Sequence, residues 1–332
     1  MISRVAENCF WLHRCLERVD SLVAMINVNL SEVLDQHTSV ADSWRAVLVA
    51  CGEAPQFAER CGAEAVADGE AVQDYLVWDV DNVASVLSLV TSARENARTV
   101  RETISLEMWL AVNSLWLWMT QGAAKRRYRQ DRRGFYARLR QDVELLRGLT
   151  HGTILHDEAF HFMRLGLLLE RAGQTARILD VKHHLLGPNN PAEAESPAET
   201  SHWLSVLRTL TATESFFKRV PSLSGLAVVQ FLLLERQLPR SVRHCLVHAA
   251  ESLEQVREPS SGRRGSASSE LLEALRGRLR DESGTQIVGA NLHSELTYVI
   301  DGIADLCNQL TADFFDPTLA LREADAAGGD NQ

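Results

Sequence analysis

The sequence predicts an all-α fold, a multi-helix bundle with long helices and no sheet. Pro and Gly are missing over long stretches: neither occurs between Gly69 and Gly122, and no Pro occurs between Pro55 and Pro188. Strands joined by tight turns need these residues often, whereas long helices do not. Apolar residues recur at the i, i+3, i+4 and i+7 spacing of an amphipathic helix, and no stretch of strict alternation stands out.

The periodic segments predict nine helices in order along the chain. These are Ser3–Gln36, Ala41–Cys51, Val72–Trp118, Phe135–Leu149, His156–Leu186, Ser201–Arg219, Leu226–His248, Ser269–Arg280 and Gly289–Phe314. The segments 52–69 and 257–269 are predicted to be loops. Composition divides the chain into an N-terminal helical part (1–186) that carries the Glu/Arg motifs, a linker (187–200), a C-terminal helical part packed on it (201–316) and a flexible tail (317–332).

Composition and charge exclude several classes of function. With 332 residues, 45% of them hydrophobic and 23% charged, the chain can bury a full core. Its net charge of −10 argues against nucleic acid as a partner. No apolar run reaches the roughly 18–20 residues that cross a membrane. Arg4, Glu7 and Arg14 interrupt the apolar pattern of the N-terminus, so it is not a signal peptide and we expect a cytoplasmic protein.

No self-sufficient catalytic motif is present. The chain has no Gly-rich phosphate loop, no nucleophile elbow and no Cys/His nucleophile pair, so no cofactor is predicted. The six cysteines show no CxxC spacing and are interpreted as reduced core residues. Glu158 and His161 form one E-x-x-H pair, but a di-iron carboxylate bundle needs two such pairs and further glutamates. The basic run 125–133 is predicted to be a solvated loop, which could also receive an acidic partner or a phosphate.

Two predicted helices carry tryptophan on their polar faces. The polar stripe of the first helix is Arg4, Glu7, Trp11, Arg14 and Arg18. The polar stripe of the third helix is Glu95, Arg98, Glu102, Trp109 and Asn113. Because a large aromatic residue seldom lies alone in water, these faces either meet in a half-buried seam of paired charges or line a cleft for a ligand or partner. We expect the seam for Glu102 and the cleft for Arg14.

The fifth predicted helix is apolar nearly all round, yet it contains Glu158, Arg164, Glu170 and Arg171. Buried charges must be paired, so the arginine-rich first and third helices are expected to supply partners for the glutamates. A polar cavity in the core is the alternative. Within this helix, LERAGQTARILDV (169–181) is similar to LERVDSLVAMINV (16–28). An internal duplication or the chance likeness of helical sequences would explain this similarity.

Four segments carry a resemblance to a known family. They are SRVAENCFWLHRCLERV (3–19), ARENARTVRETISLEMWLAVN (93–113), FMRLGLLLERAGQTARILD (162–180) and LPRSVRHCL (238–246). Through them the chain resembles the bacterial alpha-E family over nearly its whole length. His13 and Cys15 stand where that family tends to have Gly and Tyr, and Leu110 replaces a polar residue.

The resemblance implies an all-helical partner of circularly permuted ATP-grasp ligases, with transglutaminase-like proteins encoded nearby. Our first hypothesis is therefore a helical accessory or co-catalytic subunit of a peptide or amide-bond synthesis or tailoring system. The alternative is an enzyme that uses an interior Glu/Arg cleft on a carboxylate or peptide substrate. A third hypothesis is a metal–carboxylate helical bundle.

The candidate site residues come from the polar faces and the family-like segments. The catalytic candidates are the carboxylates Glu7, Glu102 and Glu170, which could transfer protons. The binding candidates are Arg4, Trp11, Arg14, Arg18, Glu95, Arg98, Arg101, Trp109, Arg171 and Arg240. Arginines of this set would grip a carboxylate substrate. No metal ligand is predicted.

Overall fold

The computed structural model describes residues 3–34, 39–186, 196–257, 265–280 and 292–316. Within these ranges the chain forms fifteen α-helices and no strand, which confirms the predicted all-α fold. Residues 187–195 of the predicted linker and the predicted tail 317–332 lie outside the described residues. The division of the chain into parts by composition stays a prediction.

The helices are numbered in chain order. They are α1 (Ser3–Leu34), α2 (Val40–Cys51), α3 (Ala54–Cys61), α4 (Gly69–Val77), α5 (Val86–Thr99), α6 (Leu106–Thr120), α7 (Ala123–Gln130), α8 (Arg132–Thr153), α9 (Glu158–Leu186), α10 (Pro197–Thr209), α11 (Thr213–Arg219), α12 (Gly225–Leu234), α13 (Val242–Val256), α14 (Ser266–Arg278) and α15 (Leu292–Leu310). A 3-10 turn covers Ala63–Ala67, and a π-helical turn covers Thr311–Phe315.

Serine caps divide a segment that was predicted to be one helix. The predicted helix Val72–Trp118 is three helices, α4, α5 and α6. Ser85 and Ser105 accept hydrogen bonds from the backbone N–H groups three residues later, at 3.2 and 3.1 Å, and each begins a new helix. The absence of Gly and Pro therefore does not guarantee a continuous helix. The predicted helices Ser201–Arg219 and Leu226–His248 also divide, into α10 with α11 and α12 with α13.

Two segments that were predicted to be loops are helical. The segment 52–69 contains α3 and the 3-10 turn, where Phe57 packs against Tyr75 with 5.2 Å between ring centroids. The basic run 125–133 lies mostly in α7, because Tyr128 is buried among aromatic neighbours and fixes this short helix against the core. Of the predicted loop 257–269, residues 258–264 lie outside the described residues, and α14 begins at Ser266.

Within the described residues the helices form two copies of a repeat, with seven equivalent helices in each. Helices α1–α6 and α8 form the first copy, α9–α15 form the second in the same order, and α7 is an insertion in the first copy. Equivalent helices make equivalent contacts: α5 and α8 pack on α1 as α13 and α15 pack on α9, and α6 packs on α5 and α8 as α14 packs on α13 and α15. This correspondence favours internal duplication as the reason for the similarity between residues 16–28 and 169–181.

Buried positions coincide between the two copies. The buried residues Val86, Leu89, Val90, Ala93 and Ala97 of α5 have the same spacing as the buried residues Val242, Cys245, Leu246, Ala249 and Leu253 of α13. A close contact is also repeated. An added Cβ would lie 2.4 Å from Trp44 Nε1 at Gly69 and 2.6 Å from Trp203 Nε1 at Gly225. Each copy thus packs a tryptophan of its second helix on the glycine that begins its fourth helix.

Helices α1 and α9 lie side by side at the centre of the fold and run parallel. Toward their N-terminal ends, Gly166 lies so close to Phe10 that an added Cβ would stand 2.1 Å from the Phe10 carbonyl oxygen. Toward their C-terminal ends, Met25 and Ile178 line one small cavity. Because the two helices are equivalent and parallel, a pseudo-two-fold axis runs between them. Equivalent residues of the two copies therefore meet at this axis.

Candidate functional site

Two Glu–Arg dipeptides meet at the pseudo-two-fold axis, Glu17–Arg18 on α1 and Glu170–Arg171 on α9. Arg18 donates from Nε to Glu170 Oε1 at 2.7 Å and from Nη2 to Oε2 at 2.9 Å. Arg171 donates from Nε to Glu17 Oε1 at 2.9 Å and from Nη2 to Oε2 at 3.0 Å. Each glutamate thus binds the arginine of the other copy through two parallel hydrogen bonds, the strongest geometry for this pair.

Further arginines complete a cluster around these pairs. Glu170 also accepts from Arg14 Nε at 2.8 Å, and Glu17 accepts from Arg240 Nη1 at 3.2 Å and from Arg147. One α-helical turn after Glu17, Asp20 accepts from Arg140, Arg147 and Arg240 at 3.0, 3.0 and 2.6 Å. We call this set the ER cluster: Arg14, Glu17, Arg18, Asp20, Arg140, Arg147, Glu170, Arg171 and Arg240.

The glutamates of the ER cluster are buried and stay ionised. Their side chains are 0% exposed for Glu17 and 3% for Glu170. Burial by itself raises the pKa of Glu17, but the charges of the arginines around it outweigh burial and hold that pKa well below the ordinary value. The same balance, with Arg18 and Arg14 as the cations, lowers the pKa of Glu170. Because a general acid or base needs a pKa near the working pH, neither carboxylate is suited to proton transfer.

A neutral histidine lies beside the ER cluster. Burial and, second to it, the charge of Arg147 together lower the pKa of His13 to about 4, although the charge of Glu17 opposes the shift. Its Nε2 lies 3.0 Å from Thr150 Oγ1. His13 occupies the position in α1 that Gly166 occupies in α9, so the two copies differ here.

The structure separates the three catalytic candidates. Glu170 is buried in the ER cluster, Glu102 is exposed in the turn between α5 and α6, and Glu7 is half-buried near the start of α1. No hydrogen bond or ion pair within the described ranges joins Glu7 or Glu102 to Glu170. The expected interior cleft around these three glutamates is therefore not formed.

The expectations for the seam and the cleft are both wrong. Arg14 lies in a buried seam and does not line a cleft. Its side chain binds Glu170 and is only 14% exposed. Glu102 is exposed, because α5 ends at Thr99 and the chain turns before α6 begins. This turn separates Glu102 from Trp109, which were predicted to share the polar stripe of one helix. Four of the predicted binding residues come together in the ER cluster: Arg14, Arg18, Arg171 and Arg240. Arg4 is exposed at the start of α1. The Trp11 ring lies 4.9 Å from the Arg14 guanidinium.

A second group of predicted residues comes together where α5 packs on α6. The Arg94 guanidinium lies 4.3 Å from the Trp116 ring and donates to Asn113 Oδ1 at 3.0 Å. Arg101 lies 5.6 Å from the Trp109 ring. Glu95 accepts from Arg98 Nε at 2.8 Å and from Arg94. Contacts between a cation and an aromatic face fix the tryptophans in place while leaving them half exposed.

Apolar side chains extend this second group into a surface. Leu106 and Leu110 on α6 are each 55% exposed. We use the term α6 face for the surface formed by Arg94, Arg101, Leu106, Trp109, Leu110 and Trp116. The helix α6 is rich in apolar residues, and on this side it leaves large apolar and aromatic side chains exposed or half-buried.

Four residues of the ER cluster are not among the predicted site residues. They are Glu17, which lies in the first family-like segment, Asp20, Arg140 and Arg147. A signal was present, because Glu17 and Asp20 are one helical turn apart and interrupt the apolar stripe of α1. The polar side of α1 also contributes to the cluster, because Arg14 and Arg18 bind the buried Glu170.

Two further features of the described residues concern metal binding and membrane spans. No group of three or more His, Cys, Asp and Glu side chains in these ranges is placed to share a metal ion. Glu158 and His161 therefore gain no further ligands there. No helix in the described ranges is both long and apolar enough to span a bilayer. The six cysteines are free thiols, as predicted, although Cys61 is exposed rather than in the core.

These features define a class of protein: an all-α domain with an internal repeat, whose two copies meet through reciprocal Glu–Arg pairs. A family model described as a predicted alpha-helical domain with a conserved ER motif matches residues 1–315. The chain belongs to this family, Alpha-E. No curated protein and no solved structure matches the chain.

Proposed function

We propose that the protein is a non-catalytic helical subunit that binds an ATP-grasp ligase of a peptide or amide-bond synthesis or tailoring system in the cytoplasm. The observation that carries this proposal is the exposed α6 face, an apolar and aromatic surface held in place by arginines. The resemblance to alpha-E proteins supplies the class of partner. A transglutaminase-like protein is the second partner that this resemblance implies.

The saturation of the ER cluster supports a non-catalytic role. Each carboxylate of the cluster accepts hydrogen bonds from two or more side chains, and a substrate would have to break these bonds in order to bind there. Removing one partner of a buried ion pair costs roughly 3–5 kcal/mol of stability, which suits a structural group. The cluster therefore acts as the connection between the two copies.

The composition of the α6 face supports protein binding. Trp and Arg are the residues that most often dominate the energy of a protein interface, and here they alternate with exposed leucines. The cation–ring contacts of Arg94 and Arg101 hold Trp109 and Trp116 in fixed orientations before a partner arrives. A surface that is ordered in advance loses less conformational entropy on binding.

The test measures binding between the purified chain and a purified circularly permuted ATP-grasp ligase from the same genome. Leu110→Glu places a charge on the α6 face. Leu145→Glu is the matched control, because Leu145 is a helical leucine of α8 with 53% exposure against 55% for Leu110. We expect Leu110→Glu to weaken the complex by about 100-fold, since a charge buried at an interface core costs several kcal/mol.

Three results would contradict the proposal. The first is that the ligase and the wild-type chain fail to associate in sedimentation velocity. The second is that Leu110→Glu and Leu145→Glu weaken the complex equally. The third is that the ligase is fully active alone and its activity does not increase when the chain is added.

A further inference from the structure

The second copy of the repeat contains a basic cavity that no carboxylate of the described residues lines. The cavity has a volume of about 240 Å³ and lies between α13, α14 and the segment that precedes α13. Its ionisable lining residues are all Arg or His, namely Arg236, Arg243, His244, His248, Arg276 and Arg280, and none of the Asp or Glu residues that the structure describes lines it. The protein as a whole carries a net charge of −10, so a cavity lined by four arginines and two histidines is unusual for the chain.

Two described carboxylates bind three of these basic side chains. Glu273 binds Arg276 and also accepts from Arg280 Nη2 at 2.6 Å. Glu251 accepts from His248 Nδ1 at 2.6 Å. Arg276 and Arg280 thus share one glutamate. The Nε of Arg276 is buried and has no hydrogen-bond acceptor among the described residues, which leaves a donor that an anion would satisfy.

The first copy of the repeat shows that the fold does not need these charges. In α6 the buried residues Met108, Val112, Leu115 and Met119 have the spacing of the buried residues Ser268, Leu272, Leu275 and Leu279 in α14 and just beyond it. The alignment of α6 with α14, together with the alignment of α5 with α13, pairs each of the six basic residues with an uncharged residue of the first copy. These are Val80, Leu87, Ser88, Ser92, Trp116 and Thr120.

The same helix pair therefore packs in one copy without any of the six basic side chains. Grouping like charges without a structural need raises the free energy of the folded protein, so a bound anion is the physical reason that fits them best. Leu246, Val247 and Leu279 give the cavity an apolar wall. Guanidinium groups on one side and this wall on the other suit an anion with a small organic group attached.

We propose that this cavity binds the phosphate group of a small molecule, with the arginines on the phosphate and the apolar wall against its organic part. The volume holds a phosphate with a small substituent and is below the usual size of a drug-sized site, about 300–1,000 Å³. The site is distinct from the ER cluster and from the α6 face, and it does not depend on the ligase proposal.

The experiment measures binding to the full chain by calorimetry, with inorganic phosphate and phenyl phosphate as the two probes, at constant ionic strength set with sodium chloride. Arg243→Gln and Arg276→Gln remove one guanidinium each, and Arg280→Gln replaces either of them if it fails to fold. Arg278→Gln is the control, because Arg278 is on the same helix α14 but binds Glu295 outside the cavity. Circular dichroism verifies the fold of each variant.

We expect saturable binding of at least one probe, a loss of about tenfold or more in affinity for each cavity variant, and no change for Arg278→Gln, since each guanidinium supplies charge-assisted hydrogen bonds. Tighter binding of phenyl phosphate identifies a phosphorylated organic molecule as the ligand. Equal binding of both probes identifies free phosphate and removes the role of the apolar wall. The proposal is overturned if neither probe saturates below about 10 mM, or if the cavity variants bind as the wild type does.

Discussion

Replacement of Glu170 by Gln tests the role of the ER cluster. The substitution keeps the shape of the side chain and removes its charge, so Arg14 and Arg18 lose the carboxylate that neutralises them. Breaking a buried ion pair costs roughly 3–5 kcal/mol. Because the Arg18 side chain is 30% exposed and water can partly solvate it, we expect the lower end, about 3 kcal/mol. With an unfolding entropy of about 2.1 cal/mol/K per residue, this loss lowers Tm by roughly 4 °C for a chain of 332 residues.

The assay is urea denaturation at pH 7, followed by circular dichroism, with Glu102→Gln as the matched control. Glu102 is exposed in the turn between α5 and α6, and surface substitutions of this kind change stability by less than about 0.5 kcal/mol. Equal midpoints for Glu170→Gln and the wild type would refute a structural role for the cluster. So would a larger loss for Glu102→Gln than for Glu170→Gln.

Two further predictions concern the contact between α1 and its neighbours. Gly166→Ala should lower the free energy of unfolding by about 2 kcal/mol or more, because the new Cβ meets the Phe10 carbonyl. Gly148→Ala is the control: its Cβ would meet nothing within 4 Å, so it should raise the free energy of unfolding by about 0.5–1 kcal/mol. Equal denaturation midpoints for the two variants would contradict this. Since the pKa of His13 is about 4 when folded and 6.5 when unfolded, the unfolded chain binds the extra proton between these values. Stability should therefore fall by about 3 kcal/mol as pH decreases from 6.5 to 4, and His13→Gln, followed by urea titrations across this range, should lack that fall.

The pattern of the sequence predicts the helices well and their ends less well. The apolar periodicity places α1, α2, α8 and α9 close to where the structure has them. It does not separate α4, α5 and α6, because their breaks depend on serine side chains that cap new helices and not on Gly or Pro. Ser85 and Ser105 are common polar residues, and nothing in a period of 3.6 residues marks them as caps.

The ER cluster was predictable in part. The need for partners to Glu170 follows from its position in an apolar helix. The first and third predicted helices were expected to supply them; Arg14 and Arg18 confirm this for the first helix, whereas no partner of Glu170 within the described residues comes from the third. The reciprocal pairing was not predictable, because it depends on the parallel packing of α1 and α9, which the two similar segments alone do not determine. The placement of Arg240 requires knowledge that the second copy of the repeat folds back onto the first.

The basic cavity shows a different limit. Its six basic residues are spread over residues 236–280, and no short motif joins them. They become a group only when α14 packs on α13. Once the repeat is known, however, a comparison of its two copies reveals the cavity, because the first copy lacks every one of these charges.

The coupling free energy between Arg18 and Glu170 is the most direct test that the Glu–Arg pairs join the two copies of the repeat. A double-mutant cycle with Arg18→Gln, Glu170→Gln and both together isolates this energy from the cost of each single change. We predict a coupling of about 2–3 kcal/mol in denaturation at pH 7, because the pair has two parallel hydrogen bonds and one member is buried. A coupling near zero, with both single variants as stable as the wild type, would contradict the account.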